Sequence, residues 1–250
     1  MKLKTTQTPT TEILRMNDKT KKPAKRKRRF LSLEKSRELY GAVSDALEML
    51  YPNHACALEY GGEPWRLVVM ARLSAQCTDA RVNIVCRELF AKYPTAKDLA
   101  YADITDVENI IKPCGLYRMK ASDIVGECRD ITERFGGTVP ADIELLLSMP
   151  GVGRKIANLI MGDIHGMGGV VCDTHFMRIC GRLGFYPEEL RDPSKIELLM
   201  DPVIPKDEQS AFCHRIVQFG RDVCSARGEM CEDCPINNVC RKGTKKGKTN

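Results

Sequence analysis

No apolar run in the 250-residue chain approaches the ~20 residues that a membrane-spanning helix needs. The basic N-terminus has no apolar segment behind it, so it does not read as a secretory signal. No alternation of apolar and polar residues lasts long enough to build a sheet. A disulfide scaffold is excluded by pattern rather than by number. Of twelve cysteines, eight are scattered singly: Cys56, Cys77, Cys86, Cys114, Cys128, Cys172, Cys180 and Cys213. Several of these sit in apolar stretches, where a free cysteine acts as a small hydrophobe. The other four are bunched near the C-terminus, which suits a reducing compartment and one metal site. What remains is a globular, all-α chain, long enough for one large domain or two small ones with a substantial core.

The net charge of +6 is unevenly placed, at +9 over residues 1–30, −8 over 31–240 and +5 over 241–250. Residues 1–30, dominated by Thr, Pro and Lys, read as an unstructured basic tail, and 246–250 as a second one. Such tails capture polyanions through phosphate contacts and counterion release, or simply keep a chain in solution. Net charge alone does not choose between these, so any case for a nucleic-acid partner has to come from the body.

Helical periodicity begins after Leu31. Leu39, Tyr40, Val43, Ala46, Leu47 and Leu50 share one face, and Pro52 and Asn53 end that helix. Further helices are expected over 65–76, over 80–92 with Asp79 as N-cap, over 104–112, over 117–135 up to Gly136–Gly137, and over 141–149. After Pro150-Gly151-Val152-Gly153 comes a helix carrying Ile156, Leu159, Ile160 and Ile164. Others fit 174–183, 193–201 and 207–219.

The segment from Leu147 to Ala157 joins two helices through a Gly-x-Gly turn. Glycine permits positive φ and leaves the backbone bare. The N–H groups at the start of the second helix favour an anion such as a nucleic-acid phosphate, a contact that positions without reading sequence. An ordinary tight turn would use the same glycines. Lys155 falls in the first turn of that helix. A lysine amine attacks carbon only when neutral, and the positive potential of a helix N-terminus favours the neutral form. A solvated surface lysine would look the same. Eighteen residues on, the apolar run Val170-Val171-Cys172 delivers Asp173 to the start of another helix, where the commonest role of an aspartate is to cap.

Cys224, Cys231, Cys234 and Cys240 follow Cys-x6-Cys-x2-Cys-x5-Cys, with Gly228 and Pro235 supplying turns. Four thiolates in so short a stretch are a metal site, and zinc and an iron–sulfur cluster both fit. Zinc ribbons usually pair two Cys-x-x-Cys knuckles, and here there is one.

Pro150-Gly-Val-Gly-Arg-Lys-x-Ala resembles the helix-hairpin-helix of the endonuclease III family of DNA glycosylases. The four-cysteine spacing resembles that family's [4Fe–4S] loop. Val171-Cys-Asp-Thr-His resembles its second catalytic motif, and Leu73-Ser-Ala-Gln-Cys-Thr-Asp and Gly115-Leu-Tyr resemble its remaining signatures. The motifs stand in the family's order across about 31–245. Cys77 replaces the usual alanine, Cys172 a usual aliphatic residue, and Ile156 a usual threonine beside the lysine.

The resemblance implies a two-lobed helix-hairpin-helix glycosylase fold. A helical barrel spans 57–167, and an iron–sulfur domain combines 31–56 with 168–245. It implies Lys155 as nucleophile and Asp173 as the second catalytic residue, with Cys224, Cys231, Cys234 and Cys240 as cluster ligands. Gln76, Leu116, Gly151, Val152, Gly153 and His175 fall on DNA-contacting positions: Gln76 fills the gap left by the flipped base and Leu116 wedges into the opposite strand. Arg227 and Arg221 would face DNA from beside the cluster. The implied activity is base excision with strand nicking, on oxidised pyrimidines such as thymine glycol. The partner is damaged double-stranded DNA, bound by a monomer with no membrane role. In a bacterium this is a cytoplasmic, nucleoid-associated protein. In a nucleated cell Lys25 to Arg29 would read as a nuclear localisation signal.

Overall fold

The computed structural model describes residues 30–53, 55–227 and 230–243. The basic tails and Gly228 lie outside the described residues, apart from Phe30 and the first residues after Cys240. Among the described residues there are eleven α-helices and no strand, so the all-α expectation holds. They are α1 Leu33–Leu50, α2 Pro64–Leu73, α3 Asp79–Lys92, α4 Ala96–Ala100, α5 Ile104–Ile111, α6 Tyr117–Arg129, α7 Ile143–Leu147, α8 Arg154–Asp163, α9 Thr174–Leu183, α10 Pro193–Met200 and α11 Gln209–Asp222. None is long and apolar enough to cross a membrane.

Several helices depart from expectation where local chemistry intervenes; that expected over 117–135 is α-helical to Arg129 and widens into a π-helical turn over Asp130–Arg134. The helix expected over 65–76 stops at Leu73, and Gln76 beyond it takes a left-handed φ of 56°. The short helix α4 was invisible to periodicity. It is set by a capping box, in which Thr95 Oγ1 accepts from Asp98 N–H and Asp98 Oδ2 accepts from Thr95 N–H, both at 3.1 Å. The N-cap of α3 is a correction: it is Thr78, whose hydroxyl accepts from the N–H of Arg81. Asp79 is instead the first helical residue, and its carboxylate reaches Arg221 of α11.

Apolar side chains gather in two clusters. The first is built around α2, which is buried on nearly every side through Trp65, Leu67, Val68, Val69, Met70 and Leu73. A helix apolar all round belongs in a core. Helices α3 to α8 and the loops between them supply most of the rest, from Val82 to Met161, with Leu58 from before α2. The second cluster joins Tyr40, Val43 and Leu47 of α1 to α9, α10 and α11. Phe212 sits at its centre, edge-on to Tyr40 at 5.0 Å and to Phe176 at 6.3 Å between ring centroids. The chain therefore starts in the second cluster, builds the first, and returns. The clusters meet where α8 packs on α11. There a side chain at Gly162 would come within 3.1 Å of Ser210, so glycine lets the two helices approach.

Candidate active site

A groove of about 530 Å³ runs between the two clusters. Its walls come from the first cluster through Ser74, Cys77, Thr78, Lys155 and Leu159, and from the second through Val171, Asp173, His175, His214 and Arg221. Lys155 and Asp173, far apart in the fold's two halves, thus share one cleft.

The hairpin explains where Lys155 sits. α7 ends at Leu147, and Gly151 turns the chain at φ 71°. A side chain there would strike Arg72 Nε at 2.6 Å and Asp123 Cβ at 2.9 Å. Those two residues form a mostly buried ion pair at 2.6 Å under the turn. Gly153 differs: its φ is −94° and a Cβ would meet nothing within 4 Å. Its value is bare backbone, not left-handed φ. It caps α8 without a side-chain bond, so the first-turn N–H groups are left for an outside acceptor. Val152 is turned inward into the first cluster, and its N–H bonds Met149 O at 3.3 Å. Lys155 is the second residue of α8 and is exposed at the groove.

Asp173 caps α9: its Oδ1 accepts from Phe176 N–H at 2.7 Å. The segment that delivers it is tied to the helix of Lys155. Asn158, one turn along α8, is buried, and its Nδ2 donates to Val170 O at 3.0 Å. Gly169 lies so close that a Cβ would fall 2.3 Å from Asn158 O. One helix therefore fixes Lys155 directly and the approach to Asp173 through Asn158, a link that no sequence motif marks. His175 is half-buried with its ring against Gly220, and burial holds it below the ordinary histidine range. Arg221 pairs with Asp79 across the groove at 2.6 Å. A second crossing contact joins His214 Nε2 to Asp163 at 2.9 Å, with Cys56 beside them.

Gln76 and Leu116 share a feature that the sequence did not signal. Among the described residues they are the two non-glycine residues with positive φ, at 56° and 49°. Leu116 is 53% exposed, so it is no core leucine. A left-handed conformation costs an ordinary residue on the order of 1 kcal/mol, and such strain concentrates at functional sites.

The four cysteines line one apolar cavity with Ile179, Leu183, Phe219 and Ile236. Arg182, buried on α9, donates to Cys224 Sγ at 3.3 Å and to Ser225 O at 2.7 Å. Arg178 donates to Cys224 O at 2.8 Å. Burial pushes the thiols of Cys234 and Cys240 up. Arg227 is exposed at the edge of this segment.

A helical hairpin with an uncapped helix start, a lysine in its first turn and an aspartate across the cleft define a base-excision repair protein of the helix-hairpin-helix class. The HhH-GPD superfamily base excision DNA repair protein family matches residues 69–206. Within that class the chain belongs to the endonuclease III family. It is 43% identical to an endonuclease III of Synechocystis over 78% of this chain and 88% of the relative. It is 37% identical to that of Bacillus subtilis over 82% and 92%. Among solved structures it is similar to a non-covalent endonuclease III–DNA complex, with TM-score 0.78 and 35% identity over 88% of this chain and 100% of the other. A trapped endonuclease III–DNA covalent intermediate aligns with TM-score 0.77 and 35% identity, over 87% and 100%.

Proposed function

We propose that the chain is a bifunctional DNA glycosylase and abasic-site lyase that acts on damaged duplex DNA, with Lys155 as nucleophile. The observation that carries the assignment of residues is the groove shared by Lys155 and Asp173. The damaged nucleotide leaves the stack and enters this cleft. Gln76 and Leu116 occupy the space it vacates. The amine of Lys155 attacks C1′ of the sugar, and the C1′–base bond breaks with the electron pair leaving on the base. Asp173, held by its cap bond, stabilises positive charge developing at the sugar and assists the proton transfers. Ring opening gives a Schiff base between Lys155 and C1′. Loss of a C2′ proton then expels the 3′ phosphate by β-elimination, which nicks the strand. The first-turn N–H groups at Gly153 and Arg154 and the bare turn at Gly151 receive a backbone phosphate. His175 supports the strand from the opposite wall.

Substrates are oxidised pyrimidines, as the resemblance implies. The two apolar clusters support a division into a barrel over 57–167 and a second lobe of 31–56 with 168–245. The relatives are bacterial, which supports a cytoplasmic, nucleoid-associated monomer.

Cys224, Cys231, Cys234 and Cys240 fit a [4Fe–4S] cluster. They share one apolar cavity, and Arg182 offsets thiolate charge. The single Cys-x2-Cys knuckle favours the cluster over a zinc ribbon, which usually pairs two. When bound, the cluster supplies a structural cross-link that pins the loop carrying Arg227.

Lys155→Ala is expected to abolish both base release and strand cleavage while leaving duplex binding within a few fold. Asp173→Asn can still accept the Phe176 hydrogen bond, so the fold is expected to survive while turnover falls by roughly 100-fold. Paired assays of base release and nicking check both. Near-normal turnover in Asp173→Asn would reduce Asp173 to a cap.

A further inference from the structure

Lys120 lies on α6, outside the motifs that define the site. Its side chain is fully buried, at 0% exposure. Its ammonium is surrounded by three backbone carbonyls: Leu73 O at 2.8 Å, Ala75 O at 2.7 Å and Cys114 O at 2.8 Å. A lysine ammonium has three N–H donors and no acceptor capacity. Three carbonyl partners use all three, whereas a neutral amine could satisfy two. The ion is therefore charged, although burial pulls it below the ordinary lysine range.

The identity of the carbonyls gives this ion its role. Leu73 and Ala75 belong to the turn that ends α2 and precedes Gln76. Cys114 ends the tight turn Lys112–Cys114 and precedes Gly115 and Leu116. These are the two loops whose tips take left-handed φ. The thiols of Cys77 and Cys114 lie side by side between the same loops. The carbonyls at the ends of α2 and of the Lys112–Cys114 turn are helix-terminal acceptors, and a cation is their natural donor.

We propose that Lys120 is a positioning residue that clamps the two strand-invading loops to each other, holding Gln76 and Leu116 at a fixed spacing before DNA arrives. The proposal rests on the reading of Gln76 and Leu116 as gap-filling residues given above. Preorganisation is the physical benefit. Two tips with unfavourable backbone conformations need an outside restraint to hold them, and ordering them only on binding would cost affinity and rate. Lys120 touches no substrate, so its effect is confined to steps in which the loops enter a duplex. A single-stranded abasic substrate has no opposite base to displace and no stack to fill.

Lys120→Gln keeps two amide donors and the approximate length, and Lys120→Met removes the charge altogether. Hydrogen exchange of the free protein should show Ala75–Thr78 and Gly115–Tyr117 exchanging at least about tenfold faster in Lys120→Gln, with α8 and α9 unchanged. On a duplex with one abasic site, cleavage should fall about 10- to 100-fold, with the loss in kcat. On the same strand without its complement, cleavage should stay within about threefold of the parent protein. If Lys120→Met does not fold, Lys120→Gln alone carries the comparison. Exchange that rises uniformly through the molecule, or equal losses on duplex and single strand, would mean that Lys120 only stabilises the fold. An unchanged duplex rate would overturn the clamp directly. If the parent protein cleaves neither substrate, the functional reading fails, while the exchange measurement still reports whether the loops are held.

Discussion

Single buried ionisable groups carry much of the information that the sequence did not display. Lys155 and Asp173 were legible because a turn, a helix start and an apolar run surround them. Lys120 was not, because a lysine in the first turn of a helix gives no sign that its head is enclosed by carbonyls from two other segments. Glu127 is a similar case. Its carboxyl is fully buried on α6 with no hydrogen-bond partner, and burial pushes it well above its ordinary value of 4.5. Asp123 beside it pushes in the same direction, while Arg72 opposes. The unfolded chain loses this proton near pH 4.5 and the folded chain keeps it. Folding therefore takes up a proton above that pH, and stability falls as pH rises. The slope from this residue is about 1.4 kcal/mol per pH unit until the folded carboxyl ionises. Glu127→Gln should remove that slope in denaturant melts from pH 5 upward. An unchanged pH dependence would mean that Glu127 is ionised in the fold.

At the scale of elements, the sequence located helices well and their ends poorly. α9 was expected over 174–183 and is found at Thr174–Leu183, since an N-cap aspartate and a terminal glycine mark both ends. α2 ended three residues early because its last turn is shaped by Lys120 and by the loop to Gln76, both tertiary effects. The hairpin shows how two similar glycines differ. Gly151 combines positive φ with contact against Arg72 and Asp123, so Gly151→Ala should cost about 2–4 kcal/mol by chemical denaturation. Gly153→Ala, with ordinary φ and open space, should cost about 1 kcal/mol or less. Equal costs at the two positions would contradict the account of the turn. The motif alone presents both as the same residue in the same loop.

For the whole molecule, the groove is what the sequence could only imply. Its two walls belong to different apolar clusters, and α1 joins the second although it lies first in the chain. No local pattern announces that closure. The walls are tied across by Asp79–Arg221, by His214–Asp163 and by Arg154–Glu197 at 2.9 Å. These contacts set the spacing at which Lys155 faces Asp173. Geometry within the groove governs the chemistry. The most direct measurement is borohydride reduction of the protein mixed with duplex DNA bearing an abasic site, followed by peptide mapping of the covalent product. The account predicts one cross-link, at Lys155, absent from Lys155→Ala and formed slowly by Asp173→Asn. A cross-link at another lysine, or none from the parent protein, would contradict it.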